Sequence, residues 1–300
     1  MMGIGGAIDR AARMLACAFF LFFAGTGGLR ARDMDLLLVL AVDTSGSVNE
    51  ERFELQKRGY VAAFRDPRLL RAIRGGAHGA IGVTMTQWTG PAMQVWAVPW
   101  MQVADAASAA QFADAVAAAP RQLFGGGTSL SGAISHAATL FSLAPFTAPR
   151  HVIDVSGDGA NNRGAPAALA RDAAVAQGIT INGLPILGLE PELEIYYRDN
   201  VIGGHRAFLI VAQNFESFAD AILRKLILEI SHRDLDPEIF HRDLDPDQRA
   251  LVRPVPLRAR QGIAPMSQEM FSCPSRTKPC MPVHWTEPGS WSPMAVPRAY

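Results

Sequence analysis

The chain has 300 residues, 49% of them hydrophobic, which is enough apolar material for one large domain or two small ones. Its 28 Lys and Arg balance 28 Asp and Glu, so no net charge draws it to nucleic acid or to an anionic membrane. Function must therefore reside in local pattern.

At the amino terminus Arg10 and Arg13 precede the apolar stretch "MLACAFFLFFAG", and small residues follow, which is the layout of a secretory signal. The stretch is too short for a comfortable membrane span. Residues 1–31 are expected to be a signal peptide, or an N-terminal anchor if uncleaved, placing the protein in the periplasm or outside the cell. Beyond such a segment only Cys273 and Cys280 remain, in "CPSRTKPC". An exported compartment permits a disulfide between them, and two unpaired thiols are the alternative.

From Asp35 to about Ile230 short apolar runs alternate with helical patterns, as in an α/β domain on a mainly parallel sheet. Strands are expected at Leu36 to Val42, Ala80 to Trp88, Gln94 to Pro99, His151 to Val155, Thr180 to Leu187 and Phe208 to Val211. The turn around Thr89 to Ala92 is too short for a parallel crossover, so the second and third runs should form one antiparallel hairpin. Asn49 can cap a helix over "EERFELQKRGYVAAF", which Pro67 should not let continue. Further helices are expected at Ala107 to Ala118, Leu130 to Phe141, Pro166 to Gln177 and Phe215 to Ile230. Tyr196, Tyr197, Arg198 and Asp199 suggest only a helix end and a turn. Trp88, Trp96 and Trp100 are expected in core or edge packing, and Asp154, within an apolar run, as a buried hydrogen-bonded structural residue.

After Ile230 the texture changes. "HRDLDP" occurs twice, nine residues apart, and more than half of the chain's 20 prolines lie in this part. The domain is thus expected to span 33–231, with 232–300 a Pro-rich tail lacking its own core. The repeated His and Asp are expected to be a solvated duplication rather than a metal cluster.

Asp43, Ser45 and Ser47 form D-x-S-x-S at the carboxyl end of the first strand, where an open α/β sheet offers a crevice for ligands. A carboxylate and two hydroxyls are hard oxygen donors, suited to Mg²⁺ and not to a thiophilic metal. Serine and aspartate also crowd ordinary turns, so the motif alone leaves both readings open. Two later loops add Thr128, in "FGGGTSLSGAI", and Asp158, in "HVIDVSGDGANN". Asn161 and Asn162 follow closely and are weaker candidates for a partner-facing rim.

With these residues the sequence resembles the von Willebrand factor A (VWA) domain. Its metal-ion-dependent adhesion site uses D-x-S-x-S, a threonine from a later loop and an aspartate after the fourth strand. The match falls on Asp43, Ser45, Ser47, Thr128 and Asp158, and the strings "VIDVSGDG", "GITINGLPIL" and "YYRDNVIGG" look closest to an exported bacterial VWA-like family of unknown function. The resemblance implies a doubly wound, Rossmann-like α/β fold with one antiparallel edge strand and helices on both faces. It also implies Mg²⁺, or else Mn²⁺ or Ca²⁺, as the ion, and an acidic group on a protein partner as its ligand.

The competing reading is a metal-assisted or serine hydrolase, since Asp43, His78 and Ser129 occur in the order used by subtilisin-like proteases. Those enzymes' second histidine and A-x-P segment are absent, and Ser129 is placed to start a helix. "GGGTS" lacks the lysine of a phosphate-binding loop. No convincing catalytic constellation remains, and binding rather than turnover is the expected use.

Overall fold

The computed structural model describes residues 32–188 and 190–231. In chain order the elements are β1 (Arg32–Asp33), β2 (Leu36–Asp43), α1 (Glu50–Arg65), α2 (Pro67–Arg74), β3 (Ile81–Trp88), β4 (Gln94–Val103) and α3 (Ala106–Ala118). There follow α4 (Leu130–Leu140), a 3-10 turn (Phe141–Leu143), β5 (Phe146–Thr147), β6 (His151–Gly157), α5 (Ala167–Ala176), β7 (Ile179–Pro185), α6 (Leu193–Asn200) and α7 (Phe218–Ser231). The proposed export segment, the repeat, the tail and the Cys273 and Cys280 pair lie outside the described residues.

The main sheet has the order β4-β3-β2-β6-β7, parallel throughout except for the antiparallel β3–β4 pair. All eight residues of β2 are buried, as the centre of a sheet covered on both faces requires. Period-two alternation divides them: Leu36, Leu38, Leu40 and Val42 face one core, and Leu37, Val39 and Ala41 the other. The first core takes Phe53, Tyr60 and Phe64 of α1, Phe112 of α3, and Phe218, Ile222 and Leu226 of α7. The second takes Leu130 and Ile134 of α4, with Leu193 and Tyr197 of α6. Helices thus lie on both faces, and each fully buried Leu or Phe contributes about 1.5–3 kcal/mol relative to exposure.

The hairpin is present, and β4 is its edge strand. Val83 pairs with Met101 and Met85 with Val98, so Pro99 and Trp100 together oppose Thr84. This bulge accommodates a proline that a central strand would not. The tryptophans are separate: Trp88 is buried, Trp100 donates to the Leu140 carbonyl at 3.0 Å, and Trp96 donates to Thr84 at 2.6 Å.

α1 ends at Arg65, before Pro67, as expected, and Pro67 then opens α2, because Asp66 caps the Arg68 amide at 2.7 Å and a proline at the first turn forfeits no hydrogen bond. Tyr196 to Asp199 lie in α6 and lead to its last residue, Asn200. One strand expectation is corrected. Phe208 to Val211 bond to β7 only through isolated bridges, Gly183 with Leu209 and Ile186 with Ala212, so this stretch is not a strand.

A polar network crosses the first core. Lys225 on α7 lies 2.7 Å from Asp154 of β6 and 2.6 Å from Glu229, all three fully buried. Asn182 of β7 donates to Glu229 at 2.9 Å and accepts the Phe208 amide at 2.9 Å. Burial, then the Glu229 carboxylate, raise the Asp154 pKa above its ordinary 3.8. Asp154 therefore holds a proton more tightly than the unfolded chain does, so this one group's own contribution to stability is full below that ordinary value and declines as pH rises beyond it, where its pairing with Lys225 matters most. Lys225→Met, which strands two buried carboxylates, should cost about 3–5 kcal/mol in urea unfolding at neutral pH and less at acidic pH. A loss under about 1 kcal/mol at neutral pH would contradict this account.

Candidate functional site

The chain leaves β2 for β3 on one side of the sheet and returns to β6 on the other. The carboxyl ends of β2 and β6 therefore flank a point where strand order reverses. Asp43 is the last residue of β2, and Asp158 follows the last residue of β6. Both are buried.

The first turn is held by its own side chains. Asp43 Oδ1 accepts the Ser45 amide at 2.7 Å, the turn that aspartate favours, and Gln56 of α1 donates to the Asp43 carbonyl at 3.1 Å. The Ser45 and Ser47 hydroxyls are 3.2 Å apart, and Ser47 donates to Asp158 Oδ1 at 2.6 Å. Asn49 then caps α1 through the Arg52 amide at 2.9 Å. One helical turn along, Arg52 donates to the Ser47 carbonyl at 2.7 Å and stands 3.6 Å from Asp158 Oδ2.

Thr128 arrives on a loop in which Gly125, Gly126 and Gly127 all have positive φ, a run of conformations that other residues rarely adopt. The loop is fixed at Thr128: its amide donates to Asn162 Oδ1 at 2.9 Å, and its carbonyl accepts the amides of Asn162 and Arg163. A Cβ on Gly159 would stand 3.5 Å from the Thr128 hydroxyl, and one on Gly46 would stand 3.9 Å from the Gly125 backbone. The three loops thus adjoin. Asn161 accepts the Ser131 amide at 3.1 Å and donates to the carbonyls of Arg163 and Ala165. The two asparagines spend these groups within the chain, on the loops that carry Thr128 and Asp158.

Two oxygens in this cluster, Asp43 Oδ2 and Asp158 Oδ2, are buried without a hydrogen-bond partner. Burial first, and then the nearby Asp158 charge, push the Asp43 pKa up to about 7 against the pull of Ser45. Burial also raises Asp158, opposed by the Ser47 hydroxyl and by Arg52. A buried carboxylate oxygen with nothing to bond is costly, and a cation relieves it. Two carboxylates and three hydroxyls are a hard donor set of the kind that takes a divalent ion such as Mg²⁺, Mn²⁺ or Ca²⁺. Among the described residues no three His, Cys, Asp or Glu side chains gather into a metal-holding group, so hydroxyls would have to complete the set.

The hydrolase constellation is not assembled. The His78 amide donates to Asp35 beside the start of β2, whereas Asp43 ends that strand, roughly 25 Å away at about 3.3 Å per residue. Ser129 caps α4 by accepting the Gly132 amide at 3.2 Å.

Sequence reasoning missed Arg52, Glu190 and Tyr197. Glu190 Oε2 accepts the Ala160 amide at 3.0 Å, beside Asp158. A Cβ on Gly157 would stand 2.8 Å from both Asp43 Oδ2 and the Tyr197 hydroxyl, so the two oxygens are separated by no more than twice 2.8 Å, and the hydroxyl, like Asp43 Oδ2, is buried without a hydrogen-bond partner. Only glycine lets the end of β6 come this close. Gly157→Ala should lower stability by about 1–3 kcal/mol in chemical denaturation, and an unchanged midpoint would show that the gap is slack.

No curated protein matches the chain. Among solved structures it is similar to a von Willebrand factor type A protein from Catenulispora acidiphila, at 18% identity over 66% of this chain and 43% of that one, with a TM-score of 0.47. Proximal thread matrix protein 1 from the mussel byssus, solved with a zinc-occupied MIDAS motif, shares 17% identity over 66% of this chain and 48% of its own, with a TM-score of 0.48. The conserved hypothetical protein BatB from Bacteroides thetaiotaomicron shares 19% identity over 66% of this chain and all of its own, with a TM-score of 0.40. The chain thus spans less than half the length of the first two. At such values the fold rests on the strand order and directions given above. In sequence, residues 33–234 match the model of the family described as protein of unknown function (DUF1194), and the chain belongs to that family.

Proposed function

We propose that this is an exported protein that holds a divalent cation through Asp43, Ser45, Ser47, Thr128 and Asp158 and uses it to recognise an acidic group on a protein partner. The observation that carries the reading is the buried pair Asp43 and Asp158, each with an unpartnered oxygen, joined through the Ser47 and Ser45 hydroxyls and the Ser45 amide. Mg²⁺ fits this donor set, with Mn²⁺ and Ca²⁺ as alternatives. When bound, the ion supplies an electrophilic centre for an incoming oxyanion, because two carboxylates no more than neutralise it.

The chain's own residues prepare the surface for that anion. Arg52 is held against the Ser47 carbonyl, and Arg121 donates to the Thr44 carbonyl at 3.1 Å and the Ser45 carbonyl at 3.3 Å. Arg163 packs over Gly127, next to Thr128. These three guanidinium groups border the site and favour a negatively charged partner. Exposed Phe124 lies under Arg121, 4.8 Å from ring centre to guanidinium, and offers an apolar contact beside the charged one. Among the described residues no helix is long and apolar enough to cross a membrane.

Titration calorimetry of the purified protein with Mg²⁺ and Mn²⁺ should give saturable one-site binding. That binding should vanish in Asp43→Ala and Asp158→Ala variants that still unfold cooperatively. A folded native protein that takes up neither ion would overturn the reading.

A further inference from the structure

A fourth loop reaches the same edge of the sheet. It lies between β7 and α6 and carries Glu190. While Glu190 Oε2 holds the Ala160 amide, Oε1 lies 3.5 Å from the point where a Cβ on Gly159 would stand. The Thr128 hydroxyl is equally far from that point, so the two oxygens are separated by no more than twice 3.5 Å. The absent side chain of Gly159 leaves the gap between them open.

The charge around the site gives this carboxylate a purpose. Asp43 and Asp158 would balance a divalent ion by themselves, but Arg52 already faces Asp158 Oδ2 at 3.6 Å. Arg121, held against the Thr44 and Ser45 carbonyls, adds further positive potential. With Arg52 counted, the two aspartates leave a single net negative charge for an ion carrying two positive ones. Glu190 supplies the missing one.

We propose that Glu190 is a further carboxylate of the cation site, acting from outside the ring of direct ligands to offset the charge of Arg52. It is not a direct ligand in this arrangement, since Asp43, Asp158 and Glu190 do not gather into one coordination group. Its influence is electrostatic, through the open gap beside Thr128 or through water in it. The inference rests on the cation reading above and deepens it.

A loop clamp and a charge make different predictions, because glutamine at this position can still accept the Ala160 amide and carries no charge. Calorimetric Mg²⁺ and Mn²⁺ titrations at low ionic strength would compare the full chain with Glu190→Gln, Glu190→Ala and Asp43→Ala. Glu190→Gln should weaken cation affinity about ten- to hundredfold, the range for groups just outside a metal's ligands. It should leave the cation-free unfolding midpoint unchanged, and added salt should narrow the difference. Wild-type affinity in Glu190→Gln overturns the proposal, whether or not Glu190→Ala is impaired; impairment in the alanine variant alone identifies a clamp. If the wild-type chain binds no cation, the cation reading and this inference fall together. If it binds and Asp43→Ala does not, only the Glu190 result decides the inference.

Discussion

Two carboxylates buried side by side at the ends of neighbouring parallel strands are the constraint around which this domain is arranged. Asp43 and Asp158 could each have been solvated or paired with a lysine; instead each keeps an oxygen without a hydrogen bond in the protein. That is expensive, and the surroundings hold the arrangement in place. The Ser45 amide fixes one oxygen of Asp43, the Ser47 hydroxyl fixes one oxygen of Asp158, and Gly157 lets the second strand approach the first. On the proposed reading, this arrangement would receive a cation without rebuilding the turn that holds it.

That edge is braced from deeper in the fold. Asp154 lies on β6, the strand that leads to Asp158, and its pairing with Lys225 fastens the strand to α7. Asn182 extends the same network to β7 and to the Phe208 amide. In the core on the opposite face, Tyr197 brings its hydroxyl near Asp43 Oδ2 across the space that a Cβ on Gly157 would take. The polar core is costly to assemble, but once complete it fixes the position and register of β6, and with them the place where Asp158 emerges.

Much of this was legible because the relevant signals are local. The apolar run of β2, the Asn49 cap and the short turn of the hairpin are each decided within a few residues, and they place Asp43 at a strand end. The D-x-S-x-S spacing is likewise local, and so are the glycine-rich loop of Thr128 and the strand end before Asp158, whereas the family pattern is what joins the three. What was not legible depends on contacts between distant segments. Nothing near Asp154 announces Lys225, and nothing in "YYRDNVIGG" shows that Tyr197 will come near Asp43 across Gly157. The distinctive strings acquire reasons only in three dimensions: "VIDVSGDG" contains Asp154, Gly157 and Asp158, and "GITINGLPIL" contains Asn182. Pro67 marks the end of α1 as expected, but a proline starts a helix equally well, and only the Asp66 cap shows that α2 follows at once. Phe208 to Val211 has strand composition but follows β7 only at isolated positions.

The most direct test of the account is to locate the ion. Crystals grown with Mn²⁺ and measured for anomalous scattering should show one peak among Asp43, Ser45, Ser47, Thr128 and Asp158, with both aspartates turned to it. Well-ordered side chains at these five positions with no peak among them, or a peak elsewhere in the domain, would contradict the central claim and leave the buried aspartates without the partner assigned to them.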